Sequence, residues 1–230
     1  MSGPPHKLIV HFMRHCEVIT SLLQTRCLCS PESHDHNESQ ALHKITNKVD
    51  EKLEDPDLPP KGRRQCTTFA KKFEGQELYL THILASPMSR TLSTARLAFK
   101  GVMKLPHNSG LSIIALPQLQ NFDQGPNGTG QSADELAKKY GGFQQRNRGA
   151  KPQHLRVDAT SLVAEGWNLK ISGKWSEGEW SIHHVKGHLQ GLWVGAGAGT
   201  KQVEAVVVSH SSFFRNWLEG SEIYLIYVKL

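Results

Sequence analysis

Residues 8–17 read Leu8-Ile9-Val10-His11-Phe12-Met13-Arg14-His15-Cys16-Glu17. From Lys7 to Met13 the run is short, apolar apart from His11, and closed by a polar cluster. That is how a strand buried on both faces of a parallel sheet reads. Similar runs recur at His82 to Ala85 and Val203 to Val208, and further strands are expected over 112–116 and 223–228. Between them lie helical spacings. Cys66, Phe69, Ala70 and Phe73 follow Pro59-Pro60, which suits a helix entrance. Leu92, Ala95 and Phe99 mark a second helix. Ser132 can cap a third through Tyr140, with Leu136, Ala137 and Tyr140 facing inward and Gly141-Gly142 ending it. A helical turn or two is expected over 213–218. Strands alternating with helices predict an α/β fold, a three-layer sandwich with a mainly parallel central sheet.

Other stretches are less regular. The polar excursion over 18–57, with one helix expected near 40–53, reads as a lid-like insertion in a single domain spanning 1–230. Residues 144–174 follow no clear period. His183-His184 read as strand neighbours pointing to opposite faces, and Trp167, Trp175, Trp180 and Trp193 as packing the lid and edge.

The 230 residues carry a formal net charge of +6, which favours an anionic partner. The basic residues are scattered, so a small anionic or phosphorylated substrate is expected rather than nucleic acid. Cys16, Cys27, Cys29 and Cys66 form no disulfide framework and read as reduced thiols. The first residues lack an apolar signal core, and no apolar run is long enough to span a bilayer, so a cytoplasmic protein without a membrane partner is expected. No ligand spacing for a metal is visible, and no cofactor is expected.

In open α/β sheets ligands bind outside the carboxyl ends of the strands. Here those ends read Arg14-His15-Cys16-Glu17, Ser86-Pro87 with Arg90 one turn on, and Ser209-His210-Ser211. Two arginines and two histidines on one edge suit a tetrahedral oxyanion, because guanidinium forks match phosphate oxygens and a helix N-terminus adds backbone donors. A neutral histidine can attack phosphorus while a second, protonated, offsets charge on the equatorial oxygens.

These blocks resemble those of the histidine phosphatase superfamily, the phosphoglycerate mutase-like proteins. Leu8 to Glu17 is similar to the family's strand followed by Arg-His-Gly-Glu. Three more blocks keep the family's order: DPDLPPKGRRQC from Asp55 to Cys66, SPMSRTLSTA from Ser86 to Ala95, and VVVSHSSFFRNWL from Val206 to Leu218. Gly166-Trp167-Asn168 to Trp175 resembles a "GWNxKxGxW" segment of fungal members. The resemblance implies a phosphoglycerate mutase-like fold and a phosphohydrolase in which His15 becomes phosphohistidine. Arg14 and Arg90 would clamp the phosphate and His210 would be the second catalytic histidine. Glu17, Asn37, Asn121 and Ser211 are candidate substrate contacts.

The chain also departs from the pattern. Where the family places a glutamate as general acid, this sequence has Asn121, and Gly128 stands where a "PCDTG" segment would bring an aspartate. Asparagine has no proton to give, so turnover of ordinary monoesters is expected to be slow. Asp123 is a candidate substitute acid, and a substrate whose leaving group needs no proton is another solution. Cys16 replaces the glycine after the nucleophile, and Ser211-Ser212 replace a Gly-Gly pair. Two alternatives stay open: an isomerase, lyase or cyclase working in the same anion pocket, or a phosphate-binding pseudoenzyme.

Overall fold

The computed structural model describes residues 8–16, 53–72, 80–108, 110–122, 125–140, 157–159, 161–170, 178–196, 203–219 and 226–227. Glu17, Asn37 and Asp123, most of the expected lid and its helix, Cys27, Cys29 and Trp175 lie outside the described residues.

The apolar runs pair as expected. Strands β1 (Leu8–Arg14), β2 (His82–Ala85), β3 (Ile113–Ala115), β4 (Val157–Asp158), β5 (Val203–Ser209) and β6 (Ile226–Tyr227) form one sheet in the order β4-β3-β2-β5-β1-β6. Every pairing is parallel. Residue alternation then sends side chains to opposite faces. Met13, Ile83, Ala85, Ile113, Ala115, Val206 and Val208 face one apolar cluster, whereas Phe12, Leu84, Ala205 and Val207 face another.

Helices cover both faces, which makes three layers. On the first face lie α1 (Pro60–Lys72) through Phe69, α2 (Ser89–Ala98) through Leu92 and Ala95, and α3 (Ala133–Tyr140) through Leu136. On the second lie α4 (Gly178–Gly195) through Ile182, Val185 and Leu189, and α5 (Ser211–Glu219) through Phe213, Phe214 and Trp217. Each buried side chain of this size contributes roughly 1.5–3 kcal/mol against exposure. Ser132 starts α3 through a capping box: the Glu135 amide donates to Ser132 Oγ at 3.3 Å, and the Ser132 amide donates to Glu135 Oε2 at 2.8 Å.

One expectation is corrected. His183 and His184 lie on α4, exposed to solvent, and not on a strand. Ile182, Val185 and Leu189 carry a helical period there, but Gly187 and Gly191 weaken the helical signal of the sequence. Trp167 is fully buried in the first apolar cluster, which also holds Val157 of the edge strand β4 and Ala159 next to it. Among the described residues no helix is long and apolar enough to cross a membrane.

Candidate active site

The sheet's central strands deliver the functional side chains to one edge. Parallel pairing puts the ends of β1, β2 and β5 level, with Arg14 beside Ser209 and Ala85 beside Val208. The ladder continues just past the strand ends: the His15 amide donates to the Ser209 carbonyl at 3.0 Å, and the Ser86 amide to the Val208 carbonyl at 3.0 Å. His15, Ser86 and His210 are thereby fixed before any side chain is placed.

His15 and His210 meet with ring centroids 5.0 Å apart, and both are buried. His15 Nδ1 lies 2.8 Å from the Cys16 carbonyl. A carbonyl only accepts, so Nδ1 carries the proton and Nε2 keeps its lone pair. His210 has the opposite tautomer. Its Nδ1 faces Arg90 Nη2 at 3.3 Å, a group that only donates, so Nε2 carries the proton toward Ser86 Oγ at 3.1 Å.

Burial, followed by the Arg90 charge, holds both imidazoles well below the ordinary histidine value. Arg14 adds to this at both rings, Lys170 does so at His210, and a proton on His15 would further oppose one on His210, so among the described residues the charges that act on the pair are positive. Both rings are therefore neutral at pH 7, which differs from the expectation that His210 stands protonated. Like charges nearby make a second cation costly until an anion arrives.

Arg90 starts α2 and is 2% exposed, so its placement is set by the fold and not by solvent. Nη1 donates to the Asn127 carbonyl at 2.9 Å and Nη2 to Met88 Sδ at 3.3 Å. The Pro126–Gly128 turn thus serves as an arginine holder through its backbone. Arg14 is half-buried at the end of β1. Ser211 opens α5, which follows His210 directly, so the N-terminal amides of α5 lie at the site.

Three further residues shape the site without having been singled out by the sequence. Asp55 is buried, sits in left-handed backbone at φ 43°, and accepts from the Ser89 amide at 2.9 and 3.1 Å and from Ser89 Oγ at 2.8 Å. It caps the helix that carries Arg90 from 34 residues upstream. Burial pushes its carboxyl up to about 6, against the Ser89 hydrogen bonds and the Arg90 charge that pull it down. Ser212 Oγ donates to Asn121 Oδ1 at 2.5 Å and accepts from the Phe122 amide at 3.2 Å, so Ser212 holds the Asn121 segment. Lys170 Nζ donates to the Asn121 carbonyl.

Cys16 also has a definite place. Its amide donates to Thr94 Oγ1 at 3.0 Å, and it packs with Leu58 and Cys66 in a small apolar cluster. A hydrogen bond with Cys66 and burial push the Cys16 thiol up, which keeps it protonated and unreactive beside His15. Both thiols are free. Among the described residues no group of His, Cys, Asp or Glu is arranged to hold a metal ion.

The family model described as the histidine phosphatase superfamily, branch 1, matches residues 41–220. The chain belongs to that superfamily. The match spans Arg90 and His210, and Arg14-His15, which precede it, are joined to the His210 end of β5 by the pairing of β1 with β5. The solved structures to which this histidine phosphatase is similar include three phosphatases or mutases. They are a phosphoserine phosphatase from Entamoeba histolytica (18% identity, 91% of this chain and 77% of that one, TM-score 0.42), a phosphoglycerate mutase from Bacillus anthracis (14%, 94% and 80%, 0.48) and a mycobacterial glucosyl-3-phosphoglycerate phosphatase (12%, 94% and 78%, 0.41). No curated protein matches. Membership of the superfamily supports a phosphatase-type enzyme.

Proposed function

We propose that the protein hydrolyses a small phosphorylated compound through a phosphohistidine on His15. The observation that carries this reading is the His15 tautomer: the Cys16 carbonyl fixes the proton on Nδ1 and leaves Nε2 as a neutral nucleophile 5.0 Å, ring to ring, from His210. A bound phosphoryl group would be gripped by Arg14, Arg90 and the amides at the start of α5. Its charge removes the penalty that keeps His210 neutral, so His210 gains its proton as the anion enters and offsets charge in the transition state. Attack by Nε2 on phosphorus forms the N–P bond as the bond to the leaving oxygen breaks and its electron pair departs with that oxygen; water then bonds to phosphorus and the N–P pair returns to Nε2. Asn121 can only hydrogen-bond to the leaving oxygen, so alkyl monoesters would be slow by roughly 10²–10⁴-fold against a site with a proton donor. A cytoplasmic setting fits the free thiols of Cys16 and Cys66.

The test uses acetyl phosphate and p-nitrophenyl phosphate with wild-type protein and His15→Ala, following phosphate release and acid-labile, base-stable phosphoprotein. Turnover with a phosphoprotein that His15→Ala lacks is the expected result. Turnover retained in His15→Ala, without phosphoprotein, would overturn the reading in favour of acid–base chemistry in the same pocket. Binding of inorganic phosphate without turnover of either substrate would point to a pseudoenzyme.

A further inference from the structure

The turn after Trp167 delivers a third cation to the side of the site where the family pattern brings a carboxylate. Gly166 and Lys170 both adopt left-handed backbone, with φ of 75° and 40°. Glycine takes this conformation at little cost, but for lysine it must be imposed by surrounding structure. Three contacts impose it. Trp167 is wedged against Gly130 so closely that a Cβ there would lie 2.3 Å from Trp167 Cη2. Asn168 Nδ2 donates to the Gly130 carbonyl at 2.8 Å, and Gln120 Nε2 donates to the Trp167 carbonyl at 3.4 Å. So held, Lys170 Nζ reaches the Asn121 carbonyl, and its charge is felt at His210. An ammonium carries three donors, so it can hold that carbonyl and meet an anion at once.

Resting on the phosphatase reading above, we propose that Lys170 is a specificity-determining residue that receives the leaving group, and that the substrate is a phosphoric anhydride. An alkoxide must be protonated as it departs, and Asn121 has no proton to supply. The phosphate or carboxylate that leaves an anhydride departs as a stable anion and needs a cation instead. Exchanging a carboxyl group for an ammonium inverts the field on the leaving-group side in the direction that such an anion requires. In the first step His15 Nε2 bonds to phosphorus as the bond to the bridging oxygen breaks. The bonding pair stays on that oxygen, no proton moves, and the anion pairs with Lys170. Water then bonds to phosphorus, the N–P pair returns to Nε2, and the proton released by water passes to the free phosphate.

The test compares kcat/KM for inorganic pyrophosphate and p-nitrophenyl phosphate in wild-type protein, Lys170→Met and Lys170→Arg. The nitro group draws the charge of nitrophenolate away from the bridging oxygen, so that substrate depends less on a cation there. The ratio of the two values is read on one preparation of each variant, which cancels any loss of folded protein. Lys170→Met is expected to lower the pyrophosphate to nitrophenyl ratio roughly 10²-fold, the order found when a preorganised donor is removed, and Lys170→Arg to retain most of it. An unchanged ratio in Lys170→Met would overturn the proposal, as would wild-type protein that turns over p-nitrophenyl phosphate but not pyrophosphate. Wild-type protein inactive on both of these and on acetyl phosphate would remove the phosphatase reading and this proposal with it, whereas turnover of acetyl phosphate without turnover of pyrophosphate would overturn this proposal alone.

Discussion

Gly130→Ala is the substitution for which the structure gives the sharpest energetic expectation. The added methyl would stand 2.3 Å from Trp167 Cη2 and 2.7 Å from Cζ2, well inside van der Waals contact. Trp167 is fully exposed to no solvent and packed in the larger core cluster, so its indole cannot swing away cheaply. Overpacking of this kind costs about 1–3 kcal/mol. The clash involves only the outer edge of the indole, which phenylalanine lacks, so Trp167→Phe should relieve it. In that background Gly130→Ala should cost little, and the two substitutions should couple by about 1–3 kcal/mol. Denaturant unfolding of the four proteins at 25 °C, compared at unchanged m-value, measures the coupling. If Gly130→Ala costs the same with tryptophan and with phenylalanine at 167, to within about 0.5 kcal/mol, the wedge described here does not hold the turn.

Two further outcomes follow from the buried ionisable groups. The Asp55 carboxyl is raised from 3.8 to about 6 by burial, so its ionisation is disfavoured in the folded state. Stability from the protonated group is present below pH 3.8 and is lost as pH rises through 6; relative to Asp55→Asn, which does not titrate, wild type should weaken by about 3 kcal/mol across that window. A stability difference that stays flat with pH, or moves the other way, contradicts the assignment. In ligand-free protein the ring signals of His15 and His210 should show no midpoint near the ordinary histidine value of about 6.5, because burial and the Arg90 charge lower both rings, and a midpoint there in an NMR titration would sink the neutral-pair description.

What the sequence made legible was local. Arg14-His15, Ser86 to Arg90 and Ser209-His210 each sit directly after a strand, and a strand of consecutive apolar residues announces itself without help from the rest of the chain. Ser132 and Glu135 could likewise be paired by spacing alone. Asp55 was hidden because it caps a helix 34 residues away, and no periodicity links the two. Lys170 stood in plain view inside the quoted Gly166-Trp167-Asn168 segment, but its role depends on a turn fastened to Gly130 and Gln120, which only the packed structure supplies. Ser211 and Ser212 look alike in the sequence, and only the structure shows that Ser212 is the one bonded to Asn121. Two adjacent residues on a helix point in different directions, and sequence alone does not say which faces the neighbouring loop. Helix α4 was obscured by its glycines, whose cost is recovered by packing Ile182, Val185 and Leu189 on the sheet.

The pairing of β1 with β5 also sets when the site comes into being. His11 is bonded to Glu204 at 2.7 Å across 193 residues of sequence, and the same register brings His15 beside His210. Contacts of such long range form late and slowly, because the loop must close before any of them is rewarded. At roughly 5–20 residues per second on the ribosome, β1 waits on the order of 10–40 s for its partner. During that interval its apolar edge is unpaired by β5, a condition that favours association with chaperones or with other nascent chains. His15 is synthesised early, but a nascent chain cannot bring it beside His210 until the strand beginning at Val203 has emerged and docked.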